Sequence, residues 1–243
     1  MKRLKRFFKE EVLMFFYDWT YLILIPAVLL SMYAQYNVTA TFRKYNKCYA
    51  RCGLTGKEAA RQILDNSRGL SGVPVKAVSG ELTDHYDPKD RSLSLSESVY
   101  GSTSIAAIGV AAHEVGHAMQ HEQGYTLLAL RNSIVPVVNI TSQASAPIFF
   151  LGFVMGARPV MNLGILLFSG MLAFHIVTLP VEFDASRRAL NVLAERGMLE
   201  TDELKGVYKV LRAAAMTYIA ATAMTALHLV RLIILRNSRS DRD

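Results

Sequence analysis

The chain has 243 residues, 51% of them hydrophobic, with 27 Lys+Arg against 20 Asp+Glu for a formal net charge of +7. That balance excludes a disordered or collagen-like chain, and the length fits a single domain. What decides the class is clustering: the apolar residues gather into runs long enough to cross a bilayer.

Taken in chain order, residues 1–16 (MKRLKRFFKEEVLMFF) are basic and amphipathic. They read equally as a solvated tail or as an interfacial helix on anionic lipid. A first apolar run follows over about 19–36; it begins late and lacks a small-residue cleavage site, so it is expected to be an anchor and not a removed signal peptide. Cys48 and Cys52 are the only cysteines, and with no second pair to complete a metal site they read as free thiols.

Thr55-Gly-Lys-Glu58 has the form of a capping box opening a helix, with Ala59, Ala60, Ile63 and Leu64 on its apolar face and Gly69 beyond its end. Alternation in the segment after Val73 and again over 91–96 predicts a small two-stranded hairpin. Ser102, Thr103 or Ser104 can cap the next helix, whose interior IAAIGVAAHEVGHAMQHEQ is too apolar to be exposed, and Gly124 is its expected stop.

Three further runs, at about 134–157, 160–181 and 213–235, complete four predicted transmembrane helices. The run at 134–157 carries Asn139, Thr141, Ser142, Gln143 and Ser145, so it is expected inside a bundle and not bathed in lipid all round. Arg231, near the end of the last run, is expected to snorkel to the interface. With four spans, 37–133 and 182–212 fall on one side and both termini on the other. Lys and Arg crowd both faces, so charge does not orient the chain. The predicted class is therefore a mainly α membrane protein with a small α+β extramembrane portion, and the positive charge is accounted for by membrane-flanking segments without any nucleic acid.

The chemistry lies in His113-Glu114-Val115-Gly116-His117. Residues four apart share a helix face, so both imidazoles can hold one Zn2+ while the intervening Glu is angled toward a water on the metal. A pair of satisfied core histidines is the plainer reading, but it leaves a carboxylate inside an apolar helix unexplained. A catalytic zinc requires a third protein ligand and an open position. Gln120 and Gln123 stand where a metzincin needs Gly and His, which excludes that class. His121 and Glu122 lie too far along the helix, and His121 reads as a supporting or structural residue. Glu182 emerges from the third span on the same side as His113 and His117, with Asp184 close by; a helix-dipole role for Glu182 competes evenly with a ligand role.

Beyond these local readings, the segments YDWTYLILIPA (17–27), LTGKEAARQIL (54–64), LTDHYDP (82–88), VAAHEVGHAMQH (110–121), RNSIVPVVNI (131–140), TLPVEFDASRRAL (178–190) and KVLRAAAMTY (209–218) resemble the bacterial membrane zinc metallopeptidases of the YugP type, over nearly the whole chain. The resemblance implies one membrane-integral metallopeptidase domain in the bacterial inner or plasma membrane, passing the bilayer several times and acting on polypeptides. It implies one catalytic zinc, His113, His117 and Glu182 as ligands, and Glu114 as general base. The arrangement is similar to gluzincins of the HtpX and CaaX-protease type, in which an Asp follows the Glu ligand four positions on; here Ser186 occupies that position and Asp184 comes two earlier.

For the donor that steadies the oxyanion the candidates are His85, Tyr86, Arg212 and Tyr218. His175, seven residues before Glu182, is a candidate for a supporting or cavity role. The strand at 91–96 could grip an extended substrate along its edge. Two rival functions are weighed against the peptidase: a site-2-type intramembrane protease, for which the eight-residue apolar lead-in IAAIGVAA is short, and a non-enzymatic metal-binding membrane protein.

Overall fold

A computed structural model describes residues 18–240. The basic segment at 1–16 lies outside the described residues. Asp18 accepts from the amide of Thr20 to start a 3-10 turn, Trp19–Leu24. The helices that follow are α1 (Ile25–Tyr45), α2 (Gly56–Asp65), α3 (Glu97–Tyr100), α4 (Ile105–Glu122), α5 (Thr126–Met155), α6 (Arg158–Glu195) and α7 (Thr201–Ser240). Three strands lie between α2 and α3: β1 (Val75–Val78), β2 (His85–Asp87) and β3 (Ser92–Ser96). The fold is mainly helical with a small sheet, and four helices are long and apolar enough to cross a membrane: Trp19–Tyr45, Thr126–Met155, Arg158–Glu195 and Thr201–Ser238. The apolar runs read from the sequence are the interiors of these longer helices. The helix carrying His113 and His117 is not among the four.

The chain folds into two compact units. One comprises residues up to Tyr33, Arg131–Val177 and those from Tyr218 on. Within it, α5 and α6 form a hairpin turned at Gly156, whose φ of +68° suits a residue without a Cβ. The two helices meet almost backbone to backbone: a Cβ on Gly152 would come 2.6 Å from the Met161 nitrogen, and one on Gly164 would come 2.7 Å from the Phe149 nitrogen. Phe149, Phe153, Met161, Leu232 and Leu235 make this unit's buried cluster.

One expectation fails here and a second holds in part. Arg231 does not snorkel: it is 1% exposed, donates to Asp18 Oδ2 at 2.8 Å and holds its guanidinium 3.8 Å from the centre of the Tyr21 ring. A charge buried in apolar surroundings needs such a partner, and the partner stands 213 residues earlier in the chain, beyond what local pattern shows. On α5, Ser145 is buried and Thr141 and Ser142 are half-buried, while Asn139 and Gln143 are exposed, so the chain covers this helix's polar positions in part and not all round.

The other unit comprises Ala34–Leu130 and Thr178–Thr217. Its core joins Ile63 and Leu64 of α2, Leu93 and Leu95 of β3, Ile108, Ala111 and Val115 of α4, Leu193 of α6 and Val207 of α7. The capping box at Thr55 forms as predicted: Thr55 Oγ1 accepts from the Glu58 amide and the Glu58 carboxylate accepts from the Thr55 amide. Ser104 proves to be the cap of α4, accepting from the Ala107 amide at 3.1 Å. Gly124, with φ +63°, ends the helix.

The predicted two-stranded hairpin is corrected to a three-stranded sheet in the order β1-β3-β2, with β1 parallel and β2 antiparallel to β3. Apolar alternation locates β1 and β3, but three-residue β2 is hidden in a polar segment. The same geometry overturns the expectation that 91–96 offers a free edge to substrate. Strand β3 is central, hydrogen-bonded on both sides and buried at all five positions.

Candidate metal centre

Helix α4 places His113 and His117 one turn apart, their ring centroids 4.8 Å from each other and their planes at 83°. Helix α6 continues past Val181, where the apolar run ends, and brings Glu182 to them. Glu182 Oε2 lies 3.3 Å from His113 Nε2 and 3.6 Å from His117 Nε2. One ligand atom from each of the three residues falls within 4.8 Å of the others. Gly116 permits this approach, since a Cβ there would stand 2.6 Å from the Ala185 carbonyl oxygen.

The hydrogen bonds behind the cluster determine which nitrogens face it. Gln120, fully buried one turn after His117, donates its amide to the Val181 carbonyl at 2.8 Å and to Asp184 Oδ2 at 3.0 Å. With both amide protons directed at acceptors, Gln120 Oε1 must accept, and His117 Nδ1 donates to it at 2.9 Å. His117 Nε2 is thereby left as the lone-pair nitrogen turned toward Glu182. Asp184 is anchored in turn by Arg187 and by Arg188 Nε, the latter at 2.5 Å. Ser186 Oγ lies 3.1 Å from His113 Nδ1, giving the first imidazole a corresponding support.

Two imidazole nitrogens and a carboxylate oxygen turned on one another repel unless a cation lies among them. This donor set, with N and O ligands, a buried carboxylate 3% exposed and supported imidazoles, fits Zn2+. A proton serves the same electrostatic purpose. Burial pushes His117 down, but the Glu182 carboxylate, 3.6 Å from Nε2, and the Glu114 charge outweigh it and hold the imidazole above its ordinary value. Burial likewise pushes Glu182 up, and His113 and His117 outweigh it, holding the carboxyl well below the usual carboxylate range. Glu114, between the two histidines in sequence, is buried at 8% exposed and forms no hydrogen bond among the described residues.

Of the other residues singled out by sequence, Asp184 is brought to the site one link away, through Gln120. His121 and Tyr86 pair with each other, Nδ1 to hydroxyl at 2.9 Å, and Glu122 pairs with Arg91, so all three are engaged beyond the metal-facing turn of α4. His85 is exposed and donates from Nδ1 to the Thr83 carbonyl at 2.8 Å. Arg212 is exposed on α7 and lines a pocket that also contains Ser186. Tyr218 and His175 belong to the first unit, where His175 meets the edge of Phe174. Gln120 is the supporting residue that sequence reasoning passes over. Its only local signal is its position three residues after His117, on the same helix face.

Fold and cluster together define a membrane-associated, mainly helical protein with a buried His-His-Glu centre suited to zinc. The chain belongs to the neutral zinc metallopeptidase family, whose model, described as "Putative neutral zinc metallopeptidase", matches residues 20–237. It is also 48% identical over 211 residues to a Bacillus subtilis (strain 168) protein named "Putative membrane protease YugP", covering 87% of this chain and 93% of that protein. No solved structure matches.

Proposed function

We propose that the protein is a zinc-dependent endopeptidase of the cell membrane, a single catalytic domain crossing the bilayer several times and hydrolysing peptide bonds of polypeptide substrates. The observation that carries this reading is the convergence of His113 Nε2, His117 Nε2 and Glu182 Oε2, with Glu114 buried on the helix turn between the two histidines. His113, His117 and Glu182 would hold the ion. Zinc supplies Lewis acidity toward a carbonyl oxygen and toward water.

The chain's own groups supply the rest. Ser186 and Gln120 keep both imidazoles oriented, and the Asp184–Arg187–Arg188 cluster holds Gln120 in turn. Glu114 takes a proton from the attacking water and returns it to the leaving amine. The family name and the name of the Bacillus relative support the same reading. Location of the zinc helix outside the four long apolar helices favours a site beside the bilayer over a site-2-type arrangement.

Purified in detergent, the protein should bind about one zinc per chain and cleave an unstructured polypeptide in a chelator-sensitive manner. Glu114→Gln should keep the metal and lose about 10²–10⁴-fold in rate. Glu182→Ala should lose zinc; full metal content in that variant would transfer the third-ligand role elsewhere. Zinc bound normally with no cleavage of any polypeptide would favour the non-enzymatic reading.

A further inference from the structure

Helices α6 and α7 border a half-open recess of about 340 Å3 within the second unit, lined by Phe183, Ser186, Leu190, Tyr208, Arg212 and Ala215 among others. Its size is at the low end of the about 300–1,000 Å3 that complete ligand sites occupy, which suits one large side chain better than a whole small molecule. The walls are chiefly apolar, and Phe183 and Tyr208 keep 45% and 51% of their surface exposed. Large aromatic surfaces left open beside a buried polar centre are what a binding site presents.

Two links connect this pocket to the metal centre. Phe183 directly follows Glu182, and Ser186, in the pocket wall, supports His113. The two guanidinium groups in the lining differ in their commitments. Arg187 is paired with Asp184, whereas Arg212 has no ion pair or hydrogen bond among the described residues. A donor with five N–H groups at the edge of an apolar recess is disposed to fix the main chain of a segment whose side chain enters the recess.

We infer that this α6–α7 pocket is the specificity pocket for substrate, taking a large apolar side chain of the peptide while Arg212 donates to a main-chain carbonyl oxygen of the same segment. The inference rests on the peptidase reading for its biological meaning, but binding tests it separately. The ligands are two fluorescein-labelled, otherwise identical unstructured peptides, one with a central Phe and the other with Ala. Their dissociation constants are measured by anisotropy on the full chain in detergent, in the zinc-loaded Glu114→Gln background so that nothing is cleaved.

The Phe peptide should bind about tenfold more tightly than the Ala peptide. Ala215→Phe, which fills the recess, should abolish that preference, and Arg212→Gln should weaken both peptides by a similar factor of about five while preserving it. If Ala215→Phe does not fold, Tyr208→Ala, on the exposed rim, should reduce the preference instead. Equal affinities for the two peptides, or a preference untouched by the pocket substitutions, would overturn the proposal. So would retained peptide binding in Arg212→Gln alongside lost binding of phosphatidylglycerol in the micelle, which would make this a lipid site. Failure of the peptidase reading shows separately, as absence of hydrolysis by the zinc-loaded wild-type chain while these preferences persist.

Discussion

Gly116 and Ala185 touch: a Cβ on Gly116 would stand 2.6 Å from the Ala185 carbonyl oxygen. The helix bearing both imidazoles therefore rests directly on the backbone of the helix bearing Glu182, three residues beyond that carboxylate. Gly116→Ala would force backbone apart from backbone. The expected cost is about 1–3 kcal/mol, against a gain of up to about 1 kcal/mol that Ala brings to a helix interior. Thermal unfolding in detergent and zinc content should both fall. A variant as stable and as zinc-replete as the wild type would show that the helices can separate without loss.

Ser186 supports His113 through a single neutral hydrogen bond at 3.1 Å. Ser186→Ala removes that support, and zinc affinity should drop about 10-fold or more in a competitive chelator titration. Ser186→Asp supplies a charged acceptor for the same nitrogen and should bind zinc at least as tightly as the wild type. Identical affinities across the three proteins would release Ser186 from any positioning role.

Acid–base behaviour offers a test away from the metal. Burial pushes the Asp84 carboxyl up, and the Ser96 amide at 2.7 Å and hydroxyl at 2.9 Å pull it only part of the way back, so it stays above its ordinary value. A carboxyl raised on folding stabilises the fold fully below its unfolded value of about 3.9, and the contribution is lost as pH rises through the folded value. Asp84→Asn keeps an oxygen acceptor for Ser96 but cannot titrate. The melting temperature of the wild type relative to this variant should therefore fall as pH rises above about 4. A constant difference over that range would refute the shift.

The Arg231–Asp18 pair makes a prediction of opposite kind for single and double substitutions. Arg231→Met strands a buried carboxylate and should cost about 3–5 kcal/mol. Adding Asp18→Asn, which removes the charge yet retains a side-chain acceptor for the Thr20 amide, should recover part of that loss. Melting temperatures of the four proteins in one detergent give the cycle, and additive losses would mean the two groups are not energetically coupled.

Much of this architecture is legible in the sequence because its signals are local. The four apolar runs, the Thr55 capping box, the Ser104 cap and the His113–His117 spacing each need only a few adjacent positions to be recognised. What escapes depends on distant partners. Arg231 looks like a snorkelling residue because Asp18 lies at the other end of the chain. β2 is three residues long and visible only through its pairing with β3. Gln120 is marked in the sequence by its place three residues after His117, where a metzincin has glycine, while its actual connections to Val181 and Asp184 span 61 and 64 residues. Glu182 stands between two readings on sequence alone, and its approach to both histidines depends on how α6 packs on α4, which spacing along the chain does not encode.

The turn at Gly156 and the paired contacts at Gly152 and Gly164 carry a consequence for folding. Neither α5 nor α6 has its final surface until the other lies against it: their backbones close at Gly152 and Gly164, and Phe149 and Met161 share one buried cluster with Leu232 and Leu235 of α7. The hairpin, rather than either helix singly, is thus the unit that has to form for these surfaces to be covered, and a bulky residue at either glycine would trouble packing before it troubled the metal centre.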